Sequence, residues 1–464
     1  VKKYSAMKKA MKLEDIDAAV DKFQPVTPDH PFYVNFENVR GGYQESEVMR
    51  IVNVGKKNGQ YVYNHQTNRN NKTLLFLAGM RGSGKTSELA KYAQKLESKE
   101  CFLVITCNVD EDLDMDNIQY MDILIFQLEK LLQRADEIKL NLDDSILESL
   151  QIWFQERVKE INRSLTADGS LEIETGAGSE DYPISVKGIL GKLLGITGKL
   201  KAELGGSYER AESVRETFRR RFSDFALKFN AFIEQTNQQL RKEQKAQELL
   251  FIVDGLEKTM SSETRRKIIM EESNRLRQIK ANTIFTLPIE LMKEKQRIRQ
   301  FAEEVVNFPF VKLYERNQDP VEKSCQLFEE FVYKRIDKSL FDHPETVKMA
   351  IQYSGGSPRQ LLRIIERASW LRGDDQTQLT LQNITSAIEK IGNDYSQYLI
   401  PEEWEVLATI KTDLEKGNPI GFDEVMQGLL EKEIVFEYND GTFKRVNPLV
   451  EKSKLYAHRV LGRS

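Results

Sequence analysis

The chain is 464 residues long, with 68 lysines and arginines against 72 aspartates and glutamates and a formal net charge of −4. That length is enough for roughly two to four domains and a large buried core. The charge balance excludes a uniformly basic nucleic-acid-coating protein, though not a local basic face. Cys101, Cys107 and Cys325 have no metal-ligand spacing and His30, His65, His343 and His458 are scattered, so the sequence carries no zinc pattern. Cys101 and Cys107 flank an apolar run and read as buried reduced thiols. No apolar run nears the ~18 residues of a membrane span, and the first residues lack a signal-like apolar stretch. A soluble, cytoplasmic protein with no membrane partner is expected.

In chain order, residues 1–72 form an N-terminal segment. It holds a polar helix near Ser5–Phe23, then prolines at 25, 28 and 31, then the aromatic piece "FYVNFENVRGGY". The stretch "KTLLFLAGMRGSGKTSELAKYAQKL" reads as strand, Gly-rich turn and amphipathic helix. "CFLVITCNV" (101–109) is a second buried strand of the kind that parallel sheets bury on both faces. Helical periodicity runs from about Asn117 to Arg163. Residues 164–206 are Gly-rich and mixed in pattern, and read as an insertion that the α/β core does not require. A basic helix with Arg215, Arg219, Arg220 and Arg221 follows, then the strand "ELLFIVDGLEK", a charged helix over 262–280, the strand "NTIFTLPIEL" and "VVNFPFVKL". Strands alternating with helices predict an α/β fold, a three-layer parallel sheet covered on both faces, over 73–313. A helical lid over 314–398 and a small C-terminal domain over 399–464 complete the chain. That last domain is predicted as two helices and a hairpin turning at Asn439-Asp440-Gly441.

"GMRGSGKT", Gly79 to Thr86, fits the phosphate-loop pattern G-x-x-x-x-G-K-[ST], and it lies between a buried strand and a helix, where the chemistry needs it. Gly79, Gly82 and Gly84 let the backbone wrap closely round phosphates. The loop amides and the helix N-terminus aim positive ends at the anion, with Arg81, Ser83 and Ser87 among the binding residues. Lys85 is placed on the β- and γ-phosphates, facing solvent when empty, and the Thr86 hydroxyl on Mg²⁺. Five apolar residues precede Asp254 in "LLFIVDGLE", which makes Asp254 the second magnesium residue. Glu257 is the candidate for polarising water. Thr286 stands near the end of the next strand, where it could sense the γ-phosphate; a strand threonine is also simply a good β-former.

Phosphate loop, inserted helices, "hhhhDGLE" acid motif, polar strand and helical lid together resemble the AAA+/STAND superclass of P-loop ATPases, over roughly 73–395. In "YSGGSPRQLLRIIERA" (353–368) the resemblance implies a second-sensor turn, with Pro358 opening a helix and Arg359 reaching back to the nucleotide. It also implies an arginine supplied to a neighbouring copy's site, for which "KEKQRIRQF" offers Arg297 and Arg299. Many AAA+ enzymes carry the catalytic glutamate directly after the acid; Gly255 holds that slot here, which looks more like STAND signalling ATPases and implies slow turnover. The pattern is similar to ATPases of bacterial conflict and phage-defence systems, which implies an antiviral setting. The tail resembles a winged-helix module, with Lys444 and Arg445 on its wing.

The expected function is an ATP- and Mg²⁺-dependent switch, hydrolysing slowly, that acts through self-association or a separate effector protein, because no effector motif is legible. The alternative is a DNA-bound ATPase similar to replication initiators or transposition regulators. A small-molecule kinase is the third reading, for which no second substrate pocket is legible.

Overall fold

Apolar residues with period-2 alternation, covered on both sides, build the centre of the molecule. The computed structural model describes residues 7–65, 72–164, 188–259, 261–315, 319–416, 420–441 and 443–462. A short antiparallel pair, β1 (Val54–Lys57) and β2 (Gln60–Tyr63), precedes a sheet made of β3 (Leu74–Gly79), β4 (Phe102–Asn108), β5 (Glu248–Asp254), β6 (Asn282–Pro288) and β7 (Glu304–Asn307). That sheet is parallel throughout, in the order β4-β5-β6-β3-β7. Leu74, Phe76 and Ala78 face one apolar cluster while Leu75 and Leu77 face another, as side chains alternating across a doubly covered strand must. The helix Lys85–Leu96 packs on the second face with Tyr43, Val48 and Met49. The helices Tyr120–Glu137, Asp144–Ser164 and Phe222–Lys242 cover the first.

Three sequence expectations change. The helix expected near Ser5–Phe23 is, among the described residues, only a 3₁₀ turn, Leu13–Asp15, and one α turn, Ile16–Ala19. Leu13, Ile16 and Val20 are instead pinned into the apolar cluster of the helices that follow β7. The charged helix over 262–280 is broken into Ser262–Arg266, a π-helical turn Lys267–Glu271 and Ser273–Leu276. Of the insertion over 164–206, residues 165–187 lie outside the described residues. Its remainder forms the helix Ile189–Leu204, which is part of the core rather than dispensable surface. Burial of Leu193, Leu194, Ile196, Leu200 and Leu204, at roughly 1.5–3 kcal/mol each, outweighs its glycines at about 1 kcal/mol apiece.

After β7 the chain is helical. Glu322–Arg335, Pro344–Tyr353, Pro358–Trp370 and Leu381–Ser396 share one cluster. Then come Pro401–Lys416 and Glu424–Glu431, followed by the antiparallel hairpin β8 (Val435–Tyr438) and β9 (Phe443–Val446). The sequence missed the two short helices that end the chain, Pro448–Glu451 and Lys454–Arg459. Among the described residues, no helix is long and apolar enough to cross a membrane.

Candidate nucleotide site

The phosphate loop leaves the C-terminal end of β3 under tight steric limits. A Cβ on Gly79 would meet the Phe308 carbonyl oxygen at 2.6 Å. Gly82 and Gly84 hold φ of +76° and +96°, the left-handed region that glycine tolerates best. Gly84 caps the helix Lys85–Leu96, whose first amides form an anion-binding end. Lys85 does not face solvent, contrary to the sequence expectation. Its Nζ donates to the carbonyls of Gly79 (2.8 Å) and Met80 (3.0 Å) and lies 3.3 Å from Glu257 Oε1, at 4% exposure. The ammonium is thus held by its own loop and by a buried carboxylate. The Ser83 hydroxyl is buried without a hydrogen-bond partner, and Arg81 donates to the Glu257 carbonyl at 2.9 Å.

The acid motif meets this loop from β5, with β6 lying between β5 and β3. Thr286, in register with Leu77, is fully buried, and its hydroxyl oxygen accepts the Gly255 amide at 3.1 Å. Gly255 has φ +99°, and a Cβ there would meet Asp110 Oδ1 at 2.4 Å, so a side chain directly after Asp254 would be strained and would displace Asp110. Asp254 is 2% exposed and neither of its carboxylate oxygens has a hydrogen-bond partner. Burial, and then the charge of Glu257, push its pKa up to about 6. Glu257 is buried too, which by itself would raise its pKa. The Lys85 charge and the Thr286 hydroxyl outweigh burial and hold it below the usual range. Among the described residues no group of three or more His, Cys, Asp or Glu is placed to hold a metal ion. Mg²⁺ needs none, because it keeps waters and takes one or two protein oxygens plus phosphate. The orphaned Asp254 oxygens beside Thr86 fit that donor set.

A cavity of about 400 Å³ lies over the loop, within the ~300–1,000 Å³ of small-ligand sites. Gly82, Gly84, Lys85, Thr86, Ser87 and Glu257 form its polar part; Pro25, Val26, Phe36, Phe331 and Leu362 line an apolar part. The helix Pro358–Trp370 supplies Pro358 and Arg359. Pro358 is the first residue of its helix, and the Ser357 hydroxyl oxygen accepts the Gln360 amide. Arg359 packs on the phosphate loop itself: a Cβ on Gly82 would lie 2.7 Å from the Arg359 Cβ. Its Nε has no partner. Gly356, with φ +78°, would drive a Cβ to 1.7 Å from the Val311 carbonyl oxygen, which pins the turn before this helix to the chain leaving β7.

Arg297 and Arg299 are not part of this cavity. Both are exposed, and Arg299 pairs with Glu304 (Nε to Oε1, 2.8 Å). Glu304 is in register with Leu75 near the start of β3, at the end of the sheet opposite the phosphate loop.

Sequence reasoning missed two residues here. Arg40, fully buried, donates to the Pro309 carbonyl (2.6 Å) and the Ser83 carbonyl (2.7 Å) and stacks 3.9 Å from the Phe308 ring. Burial lowers its pKa to about 10. The only signal was an arginine inside an aromatic, Gly-Gly-punctuated stretch. Asp110 lines the cavity and holds Lys258 at 2.5 Å; the sequence shows it only as one acid in an acidic run.

The C-terminal hairpin packs inward. The Tyr438 hydroxyl donates to the Gly355 carbonyl (2.6 Å), and Asn307 on β7 donates to Glu437 (2.8 Å). Lys444 is 5% exposed and bonds the Gly441 carbonyl, and Arg445 pairs with Glu451 at 3.3 Å.

No family model matches the sequence, and no curated protein matches it. Solved structures share parts of its shape. One is the Walker-type ATPase PABY2304 of Pyrococcus abyssi, at 14% identity and TM-score 0.37 over 82% of this chain and 90% of that one. Another is the Aeropyrum pernix ORC1 protein in complex with DNA, at 13% and 0.32 over 88% and 86%. A third is Cdc6p of Pyrobaculum aerophilum, at 10% and 0.31 over 95% and 98%. These likenesses are low in both measures, and the fold class rests on the chain's own features. A parallel sheet covered on both faces, with a Gly-rich loop running from a buried strand into a helix N-terminus, is an α/β P-loop fold.

Proposed function

We propose that this chain is an ATP-binding, slowly ATP-hydrolysing switch of the AAA+/STAND type. The contact of Arg359, on a lid helix, with Gly82 of the phosphate loop carries the reading, because it ties the loop that would hold phosphate to the element that would move. ATP is favoured over GTP because the sequence has no guanine-reading motif. Thr86 and Asp254 would hold Mg²⁺, which supplies charge neutralisation on the phosphates. Lys85 then exchanges the Gly79 and Met80 carbonyls and Glu257 for phosphate oxygens. That exchange frees Glu257 to accept a hydrogen bond from water. Thr286 holds Gly255, and so the acid turn, in register with the loop. A ligand that contacts Arg359 and Lys85 together stabilises one lid position over another, as a population shift requires.

The output passes through contacts with a partner. Two helices followed by a hairpin support a winged-helix-like reading of the tail. Its wing cations, Lys444 and Arg445, are engaged internally, which favours a packing role over a DNA contact. Antiviral defence is the setting that the sequence resemblance implies. Self-association would bring Arg297, or Arg299 released from Glu304, to a neighbour's site.

The test is limited proteolysis of the lid with and without ATP and Mg²⁺. ATP is expected to protect the lid in the parent and to lose that effect in Arg359→Ala; equal protection in both removes the switch reading. Mixing Arg297→Ala/Arg299→Ala protein with Lys85→Ala protein is expected to restore part of the lost hydrolysis. Full activity of the double arginine variant alone would discard the trans arrangement.

A further inference from the structure

We propose that a second ligand site, shaped for a nucleoside phosphate, adjoins the first cavity and shares Lys22, Phe23, Arg81 and Arg359 with it. The space measures about 450 Å³ and lies between the helix Pro358–Trp370, the Lys22–Phe23 segment and the end of the helix Glu424–Glu431. That volume suits a mononucleotide-sized molecule.

Arg359, Arg363 and Arg367 recur every four residues on the lid helix, which stacks them on one face at ~6 Å intervals. With Lys22, Arg81 and Lys432 they make six cations around the cavity, of which Lys22 pairs with Glu366, Arg367 with Asp394 and Lys432 with Glu403. The other two lining carboxylates are engaged as well, Glu431 by Arg265 and Glu433 by Gln360. Among the described residues, Arg359 and Arg363 have no ion-pair partner. Arg363 instead donates to the Tyr395 hydroxyl at 2.9 Å and lies over that ring. Unpaired guanidinium groups in a concave, partly desolvated place are what phosphate seeks.

Two further features point to the rest of the ligand. Gln360, 1% exposed, spends its Nε2 on Glu433 and on Tyr395, both at 2.6 Å, while its Oε1 has no partner. The Glu433 carboxylate can only accept, so it fixes the amide's orientation. The leftover acceptor suits an amino or hydroxyl donor. Trp370 is 53% exposed, yet its indole is pinned by a bond from Nε1 to Asp17 at 2.8 Å. A fixed, half-exposed indole beside Arg367 and Lys22 is a plate on which a planar base stacks at little entropic cost. Cations for phosphate, an acceptor for a base or ribose donor, and a stacking plate together describe a nucleoside phosphate.

The test uses the full chain saturated with a non-hydrolysable ATP analogue and titrated with AMP, followed by calorimetry and tryptophan fluorescence. One further equivalent is expected to bind with a saturable quench that disappears in Trp370→Phe. Arg363→Ala/Arg367→Ala is expected to weaken AMP at least tenfold and to leave the analogue's affinity within twofold. Arg367→Glu alone repeats the charge test should the pair misfold. The proposal falls if AMP binds only by displacing the analogue, if no saturable quench appears at millimolar AMP, or if the arginine variants bind AMP like the parent. It also falls if an oligo-dT strand, and not AMP, binds in an Arg363-dependent way, since that makes the face a single-strand contact. The Trp370 signal is independent of the phosphate loop, so a failure to bind ATP leaves this test readable.

Discussion

Replacing Asp254 by asparagine should stabilise the nucleotide-free protein while destroying its chemistry. Asp254 ends β5 with both carboxylate oxygens buried and unpartnered, beside the buried Glu257. Its pKa moves from 3.8 to about 6, through burial first and the neighbouring carboxylate second. At ~1.4 kcal/mol per pKa unit this corresponds to roughly 3 kcal/mol. The folded state binds the proton more tightly than the unfolded chain. The stability that proton contributes is therefore present in full below about pH 4 and lost as pH rises through about 6. Asparagine mimics the protonated acid at every pH. Asp254→Asn should exceed the parent by about 1–3 kcal/mol near pH 8, and the gain should shrink to a few tenths near pH 4. Denaturant melts of nucleotide-free protein at both pH values measure it, and the variant should show no Mg²⁺-dependent ATP hydrolysis. A variant less stable than the parent at pH 8, or a gain that does not change with pH, would refute the picture of an unpaired buried acid waiting for a cation.

Three other substitutions separate the roles of the neighbouring residues. Glu257→Gln should keep ATP binding and slow turnover about 10²–10⁴-fold; hydrolysis at the parental rate in a steady-state assay would assign the water to another group. Lys85→Ala should abolish measurable ATP binding in a calorimetric titration. It should also cost the empty protein about 3–5 kcal/mol at neutral pH, because Glu257 is left buried without its countercharge. Arg40→Ala removes two charged hydrogen bonds to carbonyls, at roughly 1.5–3 kcal/mol each. It should lower the melting temperature and weaken ATP binding although Arg40 sits 45 residues before the lysine of the loop; unchanged affinity would leave it a purely structural clamp.

The parts of the site that one continuous stretch determines were legible in the sequence. The phosphate loop, the acid after five apolar residues and the Gly-Gly-Ser-Pro turn each carry their steric or chemical reason locally. Contacts that depend on distant packing were not. Arg40 reaches the Ser83 carbonyl from the N-terminal segment, and no periodicity signals that. The helix expected near Ser5–Phe23 gave way because Leu13, Ile16 and Val20 gain more from the lid's apolar cluster than a polar helix would offer. Lys85 was expected in solvent because a sequence does not show that Glu257 and two loop carbonyls converge on it. The inward pairing of Arg445 was hidden for the same reason: Glu451, which holds it, comes from a helix the sequence did not reveal.

The most direct measurement is a calorimetric titration of the nucleotide-free chain with ATP and Mg²⁺, run beside Lys85→Ala and Arg359→Ala. Saturable binding of ATP is expected in the parent and in Arg359→Ala, with only the parent's lid becoming protease-resistant, and none in Lys85→Ala. Parental ATP affinity in Lys85→Ala, or no ATP binding by the parent at millimolar concentration, would contradict the assignment of this loop as the nucleotide site.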